Sequence, residues 1–295
     1  MEKEKENYIW TKQEKVREEL YNIFALDKSH VWATTGKMSM GGEGSIVYFF
    51  DGSSWKKQYE AGEELFNVAA LDANHVWAVG GRIILGGEGH VYFFDGSSWK
   101  KQFTTNQALF SIAALDATHV WTVGFGIIYF FDGTSWKKQG EIDEVFNTVA
   151  VLDKDHVWAA GGKVILRSEG SIYFFNGNLW KKQYRLGEKV DESFNDIFVL
   201  DKTHVWAVGG NGGIYFFDGS SWDKKYRVRE GLFGIAALDA THAWAVGFGG
   251  IYFFDGSSWK KQHSPGEALC DIAVLDTENA WITGRDGGIY SLKSK

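Results

Sequence analysis

The stretch Ile251-Tyr252-Phe253-Phe254-Asp255-Gly256-Ser257-Ser258-Trp259 decides how the chain is read. It recurs as Val91–Trp99, Ile128–Trp136 and Ile214–Trp222, and with one inserted residue as Ile46–Trp55. A worn copy, Ile172–Trp180, carries Asn176 in place of the Asp. A short apolar, aromatic run closed by Asp-Gly is a strand entering a tight turn. A second signpost, Leu-Asp-x-x-His-x-Trp, alternates with it and places Trp at 32, 77, 121, 158, 206, 244 and 281. With the turn tryptophans and Trp10, these account for all 14 Trp of the 295 residues.

The first-type tryptophans lie 37 to 48 residues apart, and each interval holds four short strands. In the sixth unit strand A is Leu232–Leu238, B is Ala243–Gly247, C is Ile251–Phe254 and D is Ser258–Gln262. Four strands repeated at this period are the signature of a propeller blade. The expected fold is therefore all-β: a seven-bladed β-propeller of four-stranded antiparallel blades. The last unit supplies only A, B and C (Leu269–Leu275, Ala280–Thr283, Ile289–Leu292), while Tyr8–Gln13 reads as a strand D without its blade. Joining the two closes the ring and removes the open sheet edge. Residues 8–295 then form one domain, preceded by a charged tail over 1–7.

Composition narrows the function. Net charge is −7, the wrong sign for a protein that must meet phosphates, so no nucleic acid is expected. No apolar run reaches the ~20 residues of a membrane helix, and Met1–Glu6 lacks the apolar core of a signal peptide. The expectation is a cytoplasmic monomer without a membrane span.

The A–B and C–D turns keep a fixed length, and in a meandering blade they share one side of the ring. Length variation is confined to the other side. From the first-type Trp to the next Asp or Asn is 19, 18 and 18 residues in units one, two and four, but 11, 12 and 11 in units three, five and six. Loops that vary on a constant scaffold are where recognition usually sits, so binding is assigned to the B–C/D–A face. The long B–C loops offer Lys37, Met38 and Met40; Arg82, Ile83, Ile84 and Leu85; and Lys163, Val164, Ile165, Leu166 and Arg167. Projecting apolar tips of this kind call for a cover. The short loops add Phe125, Phe248 and Arg285. The D–A connections are acidic, with Glu60, Glu63 and Glu64, Glu141, Asp143 and Glu144, and Glu188, Asp191 and Glu192. Five positions before each turn Asp, strand A carries Asn22, Asn67, Ser111, Thr148, Asp196, Gly234 and Asp271, a ring expected to line the channel.

Six histidines (30, 75, 119, 156, 204 and 242) occupy one place in six units, with Asn279 in the seventh. Ring symmetry holds such copies a blade apart, too far for one metal, so each is read as bonding its own turn and no metal is expected. Cys270 stands where other units have Phe66, Phe110 or Phe233 and is read as a core substitution. The Trp-Lys-Lys-Gln strands are read as solvated outer edges that discourage aggregation.

Asp-Gly-Ser-Ser-Trp resembles the Asp-box of sialidase-like propellers. Trp-Ala-Val-Gly followed by Gly-x-Ile-Tyr is similar to the blade repeat of photosystem-assembly-factor-like and other bacterial propellers. The resemblance implies the fold. It departs from the Asp-box in the Gly directly after Asp and in an Asp-to-Trp spacing of four. Sialidase chemistry needs an arginine cluster and a Tyr nucleophile, whereas the chain has seven Arg, three of them (Arg82, Arg167, Arg285) in B–C loops. The expected function is a non-enzymatic scaffold with no catalytic residues and no cofactor, recognising a protein or peptide partner. A glycan-binding lectin is the alternative, and a sialidase-like glycosidase the third reading.

Overall fold

The structure, a computed structural model, describes residues 8–36, 44–83, 87–162, 169–187 and 192–293. The 1–7 tail lies outside them. The sixth unit folds as Leu232–Asp239, His242–Gly247, Gly250–Phe254 and Trp259–His263, within a residue or two of the strands read from sequence. All strand pairing is antiparallel and consecutive along the chain except at the seam. There Ile9–Lys15 pairs with Gly288–Lys293, Trp10 opposite Leu292, and completes the sheet of Leu269–Val274 and Ala280–Gly284. Inner strands touch in chain order, and the last touches the first, Glu19–Asp27. No helix of the described residues is long and apolar enough to cross a membrane.

The blade count is corrected. The strands form six hydrogen-bonded sheets, five of four strands and one of six, instead of seven separate blades. Units three and four share the six-stranded sheet. His119–Phe131 is one 13-residue strand that pairs Ile112 with Thr122 in its first half and Lys137 with Phe130 in its second. Trp136–Asp153 runs on for 18 residues and continues into the next unit, pairing Val149 with Ala159. The fusion is made where Phe125 pairs with Val145 across what would have been the gap between blades; the equally short Gly247-Phe248-Gly249 of unit six leaves its four-stranded sheet separate.

The core lies between neighbouring sheets. Trp32, Val47, Leu65, Val68, Val76 and Tyr92, from two consecutive units, form one buried cluster. The turns are self-sufficient. Asp255 Oδ1 accepts from Ser257 N (3.0 Å), Ser257 Oγ (2.6 Å) and Ser258 N (2.9 Å), and Oδ2 takes Lys260 Nζ at 2.6 Å. Gly256 holds φ +82, which the turn requires and a side chain would resist. The repeated histidines bond their own turn as read: His242 Nδ1 lies 2.8 Å from Asp239, and Asn279 Nδ2 donates to Asp276 at 2.9 Å.

The Trp-Lys-Lys-Gln strands are more than solvated edges. The Gln binds sheet to sheet. Gln58 Oε1 accepts the indole N–H of Trp32 in its own unit (3.2 Å) and of Trp99 in the next (3.3 Å). Gln102, Gln139 and Gln183 repeat the bridge at 2.9–3.3 Å. In unit five this place is Lys225, which has no acceptor. Its two tryptophans, Trp206 and Trp259, are 3% and 5% exposed, and neither indole N–H finds a partner among the described residues. They meet edge to face at 5.5 Å instead. Lys225→Gln is therefore expected to stabilise the fold by about 1–2 kcal/mol, the worth of one to two net hydrogen bonds. A denaturant midpoint equal to or below wild type would reject the bridge.

Candidate functional site

The site grows from one irregularity in every inner strand. Register shifts separate Leu20 from Asn22, Leu65 from Asn67, Leu109 from Ser111, Phe146 from Thr148, Phe194 from Asp196, Leu232 from Gly234 and Leu269 from Asp271. The skipped residues are Tyr21, Phe66, Phe110, Asn147, Asn195, Phe233 and Cys270. Each is a bulge, and a bulge breaks the in–out alternation of a strand. The core positions are consequently three apart, as in Leu20 and Ile23 or Leu269 and Ile272. The bulge residue is left half-buried at the D–A end of the strand, on the face assigned to binding.

Aromatic side chains of this ring touch around the mouth. Tyr21 meets Phe66 at 5.9 Å between centroids, Phe66 meets Phe110 at 5.5 Å, and Phe110 meets Phe125 of the short loop at 4.9 Å. Across the ring Phe233 meets Phe248 at 4.8 Å, and Phe248 is 53% exposed. The asparagines serve structure: Asn147 Nδ2 donates to Phe194 O and Asn195 Nδ2 to Leu232 O, both at 2.7 Å.

Cys270 is not in the core. It lines a hollow of about 240 Å³ with Tyr21, Asn195, Phe233, Ala268 and Arg285. Burial pushes its thiol up to about 12, so it stays protonated and unreactive at neutral pH. Arg285 leads the loop of the last unit, its backbone N bonded to Ala268 O at 2.8 Å and its Nε 3.8 Å from Glu19. It also borders a second, shallower depression with Lys15, Val16, Arg17, Glu19 and Asp286.

Just below the mouth, the polar ring expected to line the channel forms clasps between units. Asn22 Oδ1 accepts Val68 N at 3.0 Å, Asn67 Oδ1 accepts Ile112 N at 3.1 Å, and Ser111 Oγ accepts Val149 N at 3.2 Å. Thr148 instead donates to Asp196 Oδ1 at 3.1 Å, and Gly234 has no side chain to offer. At these two places the following residue is an aspartate that works in both directions. Asp196 accepts its own Ile197 N (2.8 Å) and Ile235 N of the next unit (2.9 Å). Asp271 accepts Ile272 N (2.8 Å), Ile23 N (3.0 Å) and Asn22 Nδ2 (2.5 Å). Gly234 is obligatory, since a Cβ there would come within 2.8 Å of Asp271 Cα. Desolvation pushes Asp196 up to about 7 against the pull of its backbone N–H partners. Desolvation, then the charge of Asp196, raises Asp271 as well.

The acidic D–A residues are largely engaged. Glu63 accepts Tyr92 Oη and Lys101 Nζ, the latter at 2.7 Å, and lies 3.4 Å from the buried His90. Glu144 takes Lys182 at 2.5 Å, and Glu192 takes Tyr215 Oη at 2.8 Å. Among the described residues no group of three or more His, Cys, Asp or Glu is placed to hold a metal ion.

Of the loop residues assigned to binding, Phe125, Phe248 and Arg285 sit at the mouth. Arg82 and Ile83 are exposed, Ile83 at 43%. Lys37, Met38, Met40, Ile84, Leu85, Lys163, Val164, Ile165, Leu166 and Arg167 lie outside the described residues, as do Glu188 and Asp191. Sequence reading missed Tyr21, Phe66, Phe110 and Phe233 as mouth residues; the signal was the Leu-x-x-Ile spacing, one residue too long for a regular strand.

No protein-family model matches the chain, and no curated protein matches it. The Asp-box and assembly-factor likenesses therefore stay at the level of the repeat. Solved structures match its fold over nearly the whole length. YCF48 bound to a D1 peptide is 16% identical with a TM-score of 0.71, covering 98% of this chain and 97% of that one. The WD40 β-propeller domain of Doa1 is 12% identical with a TM-score of 0.73, covering 97% of each chain. A catalytically inactive virginiamycin B lyase from Staphylococcus aureus, with quinupristin, is 11% identical with a TM-score of 0.71, covering 98% of this chain and 100% of that one. At these identities the likeness shows a propeller fold.

Proposed function

We propose that the chain is a non-enzymatic scaffold that receives a protein or peptide on the face formed by the B–C and D–A connections. The observation that carries this is the aromatic crescent: Tyr21, Phe66, Phe110 and Phe125 in continuous contact, with the exposed Phe248 opposite. Rigid aromatics held on strands offer large contact area at little entropic cost. The peptide-bound state of one structural neighbour supports the same reading. The titratable groups at the mouth support a binding role over a catalytic one. Cys270 is held protonated, and Asp196 and Asp271 are committed to backbone N–H groups. A lectin would call for near-equivalent sites in most units, whereas units four and five replace the aromatic with Asn147 and Asn195.

Selection of a displayed random peptide library on the full chain tests this, beside a glycan array. Peptides are expected to be recovered and to bind Phe248→Ala or Phe125→Ala at least tenfold more weakly than wild type, both variants folding normally. Glycan binding with no recovered peptide, or peptides indifferent to both substitutions, would overturn the reading.

A further inference from the structure

The aromatic circle has one aromatic-sized gap. Phe66, Phe110 and Phe233 fill the bulge position in three units and Tyr21 in a fourth; Tyr21, Phe66 and Phe110 touch in sequence, and Phe233 touches Phe248. The two asparagines close their part of the ring by bonding the backbone of the next unit. Cys270 does neither: its side chain ends short, and the hollow of about 240 Å³ opens between Phe233 and Tyr21. Tyr21, Asn195, Phe233, Ala268 and Cys270 line it, and Arg285, which also borders the adjoining depression, stands at its edge. In the adjoining depression Arg285, Lys15 and Arg17 stand against Glu19 and Asp286, a net charge of one positive.

We infer that this hollow is the anchor subsite of the peptide-binding face and takes an aromatic side chain whose next residue is acidic. The guest ring completes the circle edge to face or offset against Phe233 and Tyr21, the arrangements aromatic pairs favour. Its neighbouring carboxylate reaches the Arg285 guanidinium at the rim, where charge and fork geometry suit a carboxylate. The thiol contributes smallness, not chemistry: burial holds it protonated. The inference rests on the reading of this face as a peptide-binding surface and adds to it the class of side chain recognised.

The probe is the capped tetrapeptide Gly-Phe-Asp-Gly, titrated by calorimetry into the full chain, with counterparts carrying Ala for Phe or Asn for Asp. Wild type and Cys270→Ser are expected to bind it alike. Cys270→Phe, which places in unit seven the residue three other units hold there, is expected to weaken binding at least tenfold while circular dichroism stays unchanged. The Ala peptide is expected to bind at least tenfold more weakly, and Arg285→Gln to bind the Asp and Asn peptides equally. Because Cys270 is the only cysteine, its slow modification by N-ethylmaleimide at about pH 9, where a small thiolate fraction is present, followed by mass, reports occupancy and does not depend on any variant folding. Saturating peptide is expected to slow it severalfold. Equal binding by folded Cys270→Phe, equal binding of the Ala peptide, an unprotected Cys270, or no binding of the tetrapeptide would each overturn the inference. If library peptides sensitive to Phe248→Ala are recovered all the same, the binding face stands and the anchor alone falls. If none is recovered, both fall.

Discussion

Glu192→Ala is expected to cost the fold about 2–4 kcal/mol, since it leaves two buried donors unsatisfied at about 1–3 kcal/mol each. Glu192 is 2% exposed, and everything around it is built on its two oxygens. Oε1 accepts Gly213 N at 2.9 Å; Oε2 accepts Tyr215 Oη at 2.8 Å and lies 3.5 Å from Lys224 Nζ. Burial, and then the bond to Glu192, hold the Tyr215 phenol far above its ordinary value, so it stays a donor. Alanine would strand a buried backbone N–H and a buried hydroxyl and leave Lys224 with only the Tyr215 ring beneath it, 5.0 Å from its centroid. The same clasp recurs where Tyr48 donates to Glu18 at 3.0 Å, where Tyr92 and Lys101 meet Glu63, and where Lys12 meets Glu267 at 2.8 Å. Glu192→Gln keeps one acceptor and is expected to lose less than half as much. Urea denaturation of the two variants decides the matter: a loss below about 1 kcal/mol for alanine would show that the clasp is dispensable.

The second large effect is on pH dependence. Asp196 is raised to about 7 by desolvation, and Asp271 is raised by desolvation and the charge of Asp196. A carboxyl whose folded pKa lies above its unfolded value binds more protons in the folded state. Its contribution is complete below the unfolded value near 4 and is lost as pH rises through the folded value. The sign is opposite to that of the turn aspartates. Hydrogen bonds from Ser29 and His30 overcome desolvation to hold Asp27 at about 2, so that group is ionised in both states above pH 5. Between pH 5 and 8 wild type is therefore expected to lose about 1–3 kcal/mol that Asp196→Asn does not lose. The asparagine forfeits one acceptor and is less stable at pH 5, so the slope of stability against pH, not its level, carries the test. Parallel profiles for the two proteins would show that Asp196 titrates as an ordinary carboxylate.

The repeat and the four-stranded units were legible because they are local: an aromatic run ending in Asp-Gly can hardly be anything but a strand and its turn; the seam, which pairs Trp10 with Leu292, was legible because two incomplete units complete each other. The Asp–His pairs at the A–B turns were legible for the same reason, the two residues being three apart. What the sequence hid was relational. The fusion of units three and four rests on the pairing of Phe125 with Val145, which no local pattern announces, since unit six carries an equally short Gly-Phe-Gly and stays separate. Glu63, Glu144 and Glu192 read as a charged surface because their partners lie 23 to 38 residues away. Cys270 was read as core because other units carry Phe at that place, and the bulge between Leu269 and Asp271 puts this position at the mouth. The place of Phe125, Phe248 and Arg285 at the mouth was legible since loop variation, not burial, marked it.

The belt below the mouth constrains which sequences the ring can tolerate. Five of the seven units hand a backbone N–H back to the unit before them, so a residue in one unit is answerable for a donor in the next. Where unit six carries Gly234 and unit four carries Thr148, the successor supplies a carboxylate whose two oxygens cover two donors. Drift at one position is thus licensed by its neighbour. An inner-strand acceptor can be lost only where an aspartate already follows, and Asp196 and Asp271 can vary only after Thr148 or Gly234 has regained an acceptor. In a molecule that looks like one phrase copied around a circle, these positions are expected to tolerate substitution only in pairs.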